Sequence, residues 1–113
     1  MTSRDLGYLE DMRLHANDAL AIANRIGRES FLSDRTMQHA VIRCLTVVGE
    51  AANRVSADTR DALPEVAWGE AVGLRNVLVH EYERIDLSRV WTIVETDLPP
   101  LLDALNAYLG DVD

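Results

Sequence analysis

A single cysteine, Cys44, leaves no partner for a disulfide and no CxxC pair to hold a metal. It sits in an apolar run, where a thiol serves as a small core hydrophobe. Lysine is absent, so all 11 basic residues are Arg, set against 19 acidic ones for a formal charge of −8. That balance excludes a broad cationic surface for nucleic acid, whose affinity rests mainly on Lys and Arg at phosphates. A local arginine pocket stays open to the chain, and an acidic body suits a more basic partner. No apolar stretch reaches the roughly 20 residues of a membrane span. Residues 1–30 also lack a basic start followed by a long apolar run, so the expected compartment is the cytoplasm, with no membrane. There is no glycine-rich phosphate loop, and no His/Cys/Asp/Glu set has metal-ligand spacing. Neither a metal nor a cofactor is expected.

What is present is apolar and helical. Hydrophobic residues make up 48% of the chain, too many for disorder, and 113 residues fit one domain spanning 1–113. Any active site must then be small, or shared between copies. Leu6, Leu9, Met12, Ala16, Leu20, Ala23 and Ile26 recur at steps of three and four, predicting a helix over residues 4–26. Ser3 is its expected N-cap and Gly27 its C′ residue. Phe31 and Leu32 then plug the bundle end from a connector over 28–33.

A second helix is predicted from Ser33 or Asp34 to Val55. Its apolar surface, from Met37 through Val41, Leu45 and Val48 to Ala52, is wider than one core-facing side needs. It is therefore either the central helix or a helix that also buries surface in an oligomer. Its polar residues, Arg43, Thr46, Glu50, Asn53 and Arg54, fall on one strip. That strip is either a solvated face with a Glu50–Arg54 pair or the lining of a polar cleft. Residues 56–64 read as a turn-rich connector and 66–79 as a third helix weakened by Gly69 and Gly73. Asp86 is the expected N-cap of a last helical region, which Pro99-Pro100 should kink or break. No segment alternates as a strand does. The fold class is all-α, an antiparallel bundle of four to five helices.

Chemistry concentrates in Arg75-Asn76-Val77-Leu78-Val79-His80-Glu81-Tyr82. Cutting RNA without a metal needs a base for the 2′-hydroxyl, an acid for the leaving 5′-oxygen and a cation on the phosphate. Imidazole titrates near working pH and suits the proton steps. Guanidinium is always charged and can bond two phosphate oxygens at once. One motif supplies one His. His15 and His39 have no motif around them and read as ordinary surface or satisfied histidines, so a two-histidine mechanism needs a second chain. A two-fold homodimer would bring two Arg and two His to one cleft. Residues five apart on an ideal helix lie about 140° apart around its axis, so Arg75 and His80 share no face unless the helix ends near His80 or Arg75 reaches round. A plainer reading has Arg75 solvated, His80 capping a helix end and Tyr82 packing.

The motif resembles that of the HEPN ribonucleases, and its ending in Tyr is similar to that of the HepT toxins. Further landmarks of that group match in order: Ser30-Phe31-Leu32, Val48-Gly49-Glu50-Ala51-Ala52, Trp68, Ile85-Asp86, Val90-Trp91 and Leu98-Pro99. Together they run over residues 4–109. The resemblance implies a HEPN-like bundle and the toxin of a toxin–antitoxin module. It implies a metal-independent endoribonuclease acting on RNA, with Arg75 and His80 catalytic and Asn76 and Glu50 supporting. It also implies a minimal nucleotidyltransferase-domain antitoxin that silences the chain by adding AMP to Tyr82. The alternatives are a catalytically inactive HEPN binding module that scaffolds that partner, and a nucleotide-binding helper in which Arg75 holds a phosphate.

Overall fold

The first helix begins where Thr2, not Ser3, offers its hydroxyl to the Asp5 N–H at 3.0 Å. In the computed structural model, which describes residues 2–79 and 85–110, α1 extends over Ser3–Ser33. The expected end at Gly27 is a kink. Gly27 takes φ +78°, a conformation open to glycine, and the chain then resumes helical turns that carry Phe31 inward. Phe31 is fully buried and packs its ring against Trp91, with centroids 5.6 Å apart. It closes the bundle end as expected.

The buried stripe of α1 is Leu9, Met12, Ala16, Ala19 and Ala23, at helical steps of three and four. Leu6, expected in that stripe, is 43% exposed. Its neighbour Asp5 is turned inward instead, because its carboxylate accepts from the Ser56 hydroxyl at 2.6 Å and the Thr59 hydroxyl at 2.7 Å. These hydroxyls hold the Asp5 carboxyl below its usual pKa and tie the start of α1 to the segment after the second helix.

That second helix, α2 (Arg35–Arg54), is capped by the Asp34 carboxylate on the Met37 N–H, as the sequence indicates. One residue separates it from α1 and the two pack along each other, so they run antiparallel. The small Ala16, Ala19 and Ala23 of α1 and Val41, Leu45 and Val48 of α2 belong to the same buried core. Helix α2 also packs against α4 (Trp68–Val79), so it lies between α1 and α4. The expected connector between them holds a short helix, α3 (Ala57–Ala62), capped by Ser56.

The chain ends in one helical rod: α5 (Leu87–Thr92), a π-helical turn (Ile93–Asp97) and α6 (Leu98–Leu109). Asp86 caps it through the Arg89 N–H at 3.2 Å. Pro99-Pro100 do not break the rod. They fall in the first turn of α6 directly after the π turn, in which the Leu98 N–H bonds back to the Ile93 carbonyl. The wider turn makes room for rings that would otherwise press on the preceding carbonyls. The rod packs along α1, where Arg13 reaches the Asn106 amide oxygen and the Gly110 carbonyl at the end of α6. The result is the expected all-α antiparallel bundle, with no strand among the described residues. No helix in them is long and apolar enough to cross a membrane.

Candidate active site on α4

The position of α4 is set from its N-terminal end. Arg60 donates to the Ala52 and Val55 carbonyls at the end of α2, at 2.9 and 3.1 Å, and the Ala52 carbonyl also accepts from the Val55 N–H. The same guanidinium lies 5.6 Å from the centroid of the Trp68 ring. Trp68 in turn donates its indole N–H to the Leu63 carbonyl at 3.0 Å. One arginine thus fastens the last turn of α2 to the first residue of α4.

The two helices meet closely at Gly49. A Cβ built there would lie 3.2 Å from the Arg75 backbone nitrogen and 3.3 Å from the Ala71 carbonyl oxygen. Glycine in a helix interior costs about 0.5–1 kcal/mol against alanine. Here its missing side chain lets α2 sit directly on the helical turn that carries Arg75. Ala71, Leu74 and Leu78 face the core, while Arg75 and Asn76 are exposed. Neither the guanidinium nor the amide has a hydrogen-bond or ion-pair partner among the described residues, so both are available to a ligand.

Glu50 follows Gly49 and is half-buried on α2, beside this contact. Its carboxylate makes no hydrogen bond or ion pair with a described residue, so the Glu50–Arg54 pair does not form and no direct link to Arg43 or Arg75 exists. The ion pair among the described residues is Glu10–Arg13 at 2.8 Å. Elsewhere on the strip Arg43, Asn53 and Arg54 are exposed, and the Thr46 hydroxyl donates to the Ile42 carbonyl at 2.8 Å. His80 and Tyr82 lie outside the described residues; α4 is described through Val79.

The other histidines stand apart from this region. His39 is exposed on α2, as an ordinary surface histidine should be. His15 is half-buried on α1, and its Nδ1 is buried without a hydrogen-bond partner among the described residues, so it is neither the ordinary surface histidine nor the satisfied one that were the two expectations. Cys44 is half-buried against the core. Burial, with Asp18 nearby, pushes its thiol pKa up and keeps it in the unreactive protonated form. Among the described residues no three His, Cys, Asp or Glu side chains are grouped to hold a metal ion.

Two residues that position the site were not recognised for that role in the sequence. Gly49 had a signal, an isolated glycine inside an otherwise strong helical pattern, which often marks close backbone approach. Arg60 had none, because its partners are backbone carbonyls that any sequence supplies.

Known proteins match nearly the whole chain. Residues 9–108 match the family model described as ribonuclease HepT-like. A protein of Methanocaldococcus jannaschii named "Putative RNase MJ1380" is 38% identical over 102 residues, 89% of this chain and 94% of that protein. A protein of Thermococcus cleftensis named "Probable ribonuclease HepT" is 35% identical over 94 residues, 83% of this chain and 86% of that one. No solved structure matches. A family match that takes in α2, the Gly49 contact and the arginine of α4 leaves little of the chain outside it: this protein belongs to the HepT-like ribonuclease family.

Proposed function

We propose that this chain is the toxin of a toxin–antitoxin module, an endoribonuclease that cuts RNA without a metal at a cleft shared by two copies. Arg75 binds the scissile phosphate and stabilises the charge that builds on its oxygens, often the greatest single contribution to such catalysis. His80 takes the 2′-hydroxyl proton, and the second copy's histidine protonates the leaving 5′-oxygen. Asn76 adds a neutral donor to the phosphate, and Glu50 holds the polar edge of the cleft from α2. A nucleotidyltransferase antitoxin adds AMP to Tyr82, placing negative charge and bulk two residues from His80, where RNA phosphate would bind.

The observation that carries this reading is the pair Arg75 and Asn76. These side chains are exposed, without partners among the described residues, on a helix whose backbone is clamped at Gly49 in a chain of a ribonuclease family. A guanidinium held for structure would be bonded, as Arg13 and Arg60 are.

The test is to induce the chain alone and follow growth and RNA integrity for wild type, His80→Ala and Tyr82→Phe. Wild type should arrest growth and fragment RNA, and His80→Ala should do neither. Tyr82→Phe should stay toxic when the nucleotidyltransferase is co-expressed, because it lacks the acceptor oxygen. Fragmentation by His80→Ala at the wild-type rate would overturn the catalytic assignment.

A further inference from the structure

Where α4 lies beside the C-terminal rod, the two leave a groove open to solvent. Neither Arg75, Asn76 nor Glu50 lines it. Its apolar lining is the exposed Ala67 and Pro100 over the largely buried Ala71, Leu74, Ile93, Leu98 and Leu101. Its charged lining is Glu65, Glu70 and Asp97, with no basic residue. All three carboxylates are exposed and have no hydrogen-bond or ion-pair partner among the described residues.

The groove therefore offers some apolar surface and three carboxylate acceptors, and no charged donor. Its complement is a chemical group with an aliphatic stem and a cationic, donor-rich head, the character of Arg and Lys side chains.

We propose that this groove docks a basic, partly apolar segment of a different protein, seating Arg or Lys side chains between Glu65, Glu70 and Asp97. A second copy of this chain fits poorly, because it carries a net charge of −8 and no lysine. The proposal stands on the groove alone and does not depend on the ribonuclease reading.

The probe is a synthetic amphipathic helix of about three turns, with Leu on one face and Arg flanking it, titrated into the isotope-labelled full chain and followed by amide NMR shifts. Saturable shifts should centre on residues 65–74 and 93–101. A peptide with Glu in place of each Arg should not bind. The chain carrying Glu65→Gln, Glu70→Gln and Asp97→Asn should keep its fold, since all three side chains are exposed, and bind the Arg peptide about tenfold more weakly. The proposal is overturned by shifts spread over the acidic surface, by unchanged affinity in the triple variant, or by no saturation at about 1 mM peptide. Spermidine alone reproducing the shifts at equal affinity would also overturn it, making the groove a polyamine site.

Discussion

Substituting Arg75 tests the chemistry, while substituting Gly49 tests the platform beneath it. Arg75→Ala should abolish RNA cleavage without unfolding the chain, since the side chain is exposed and bonds to no described residue. Arg75→Lys should also cleave poorly, because a point charge cannot reproduce the two-pronged fork on phosphate; a gel assay on both variants checks this. Gly49→Val should destabilise by about 1–3 kcal/mol in urea unfolding, the usual cost of forcing extra carbons against packed backbone. Gly73→Ala should do the reverse and stabilise by about 0.5–1 kcal/mol, because a Cβ there meets nothing within 4 Å. Exposure of Arg75 and Asn76 was legible in the sequence, since polar side chains in an otherwise apolar helix turn outward. The role of Gly49 was not, because what a missing side chain admits depends on which helix lies opposite.

Helix boundaries were legible wherever a side chain caps them. Asp34 and Asp86 cap as their local sequence indicates, whereas Ser3 yields to Thr2 one residue earlier. The short α3 was hidden because six residues hold too little periodicity to read. Of the kink or break expected at Pro99-Pro100, the break does not occur, because a π turn, which has no local signature, precedes the prolines. The inward turn of Asp5 was hidden too, since its partners lie more than fifty residues away in sequence. It carries a pH signature. The folded state lowers the Asp5 pKa below its ordinary 3.8, so its contribution is full above that value and is lost as pH falls through the lowered one. Chemical denaturation between about pH 2 and 6 should show a shallower acid loss of stability for Asp5→Asn than for wild type. Parallel curves would mean that the Ser56 and Thr59 bonds do not favour the charged form.

At the scale of the molecule, the long helical elements α1, α2, α4 and the C-terminal rod are what the patterning predicts. The place of α2 between α1 and α4 agrees with its wide apolar surface. Light scattering at micromolar concentration should find a dimer, and a monomer would remove the second histidine from the mechanism. The central claim is that two copies of this acidic helical chain cut RNA with their own arginines and histidines. The most direct test is cleavage of a labelled RNA by purified protein in excess EDTA, wild type beside His80→Ala. The account predicts cleavage by wild type that chelator leaves intact and that His80→Ala lacks. Cleavage that stops in EDTA and returns with a divalent ion, or that survives His80→Ala at full rate, would contradict it.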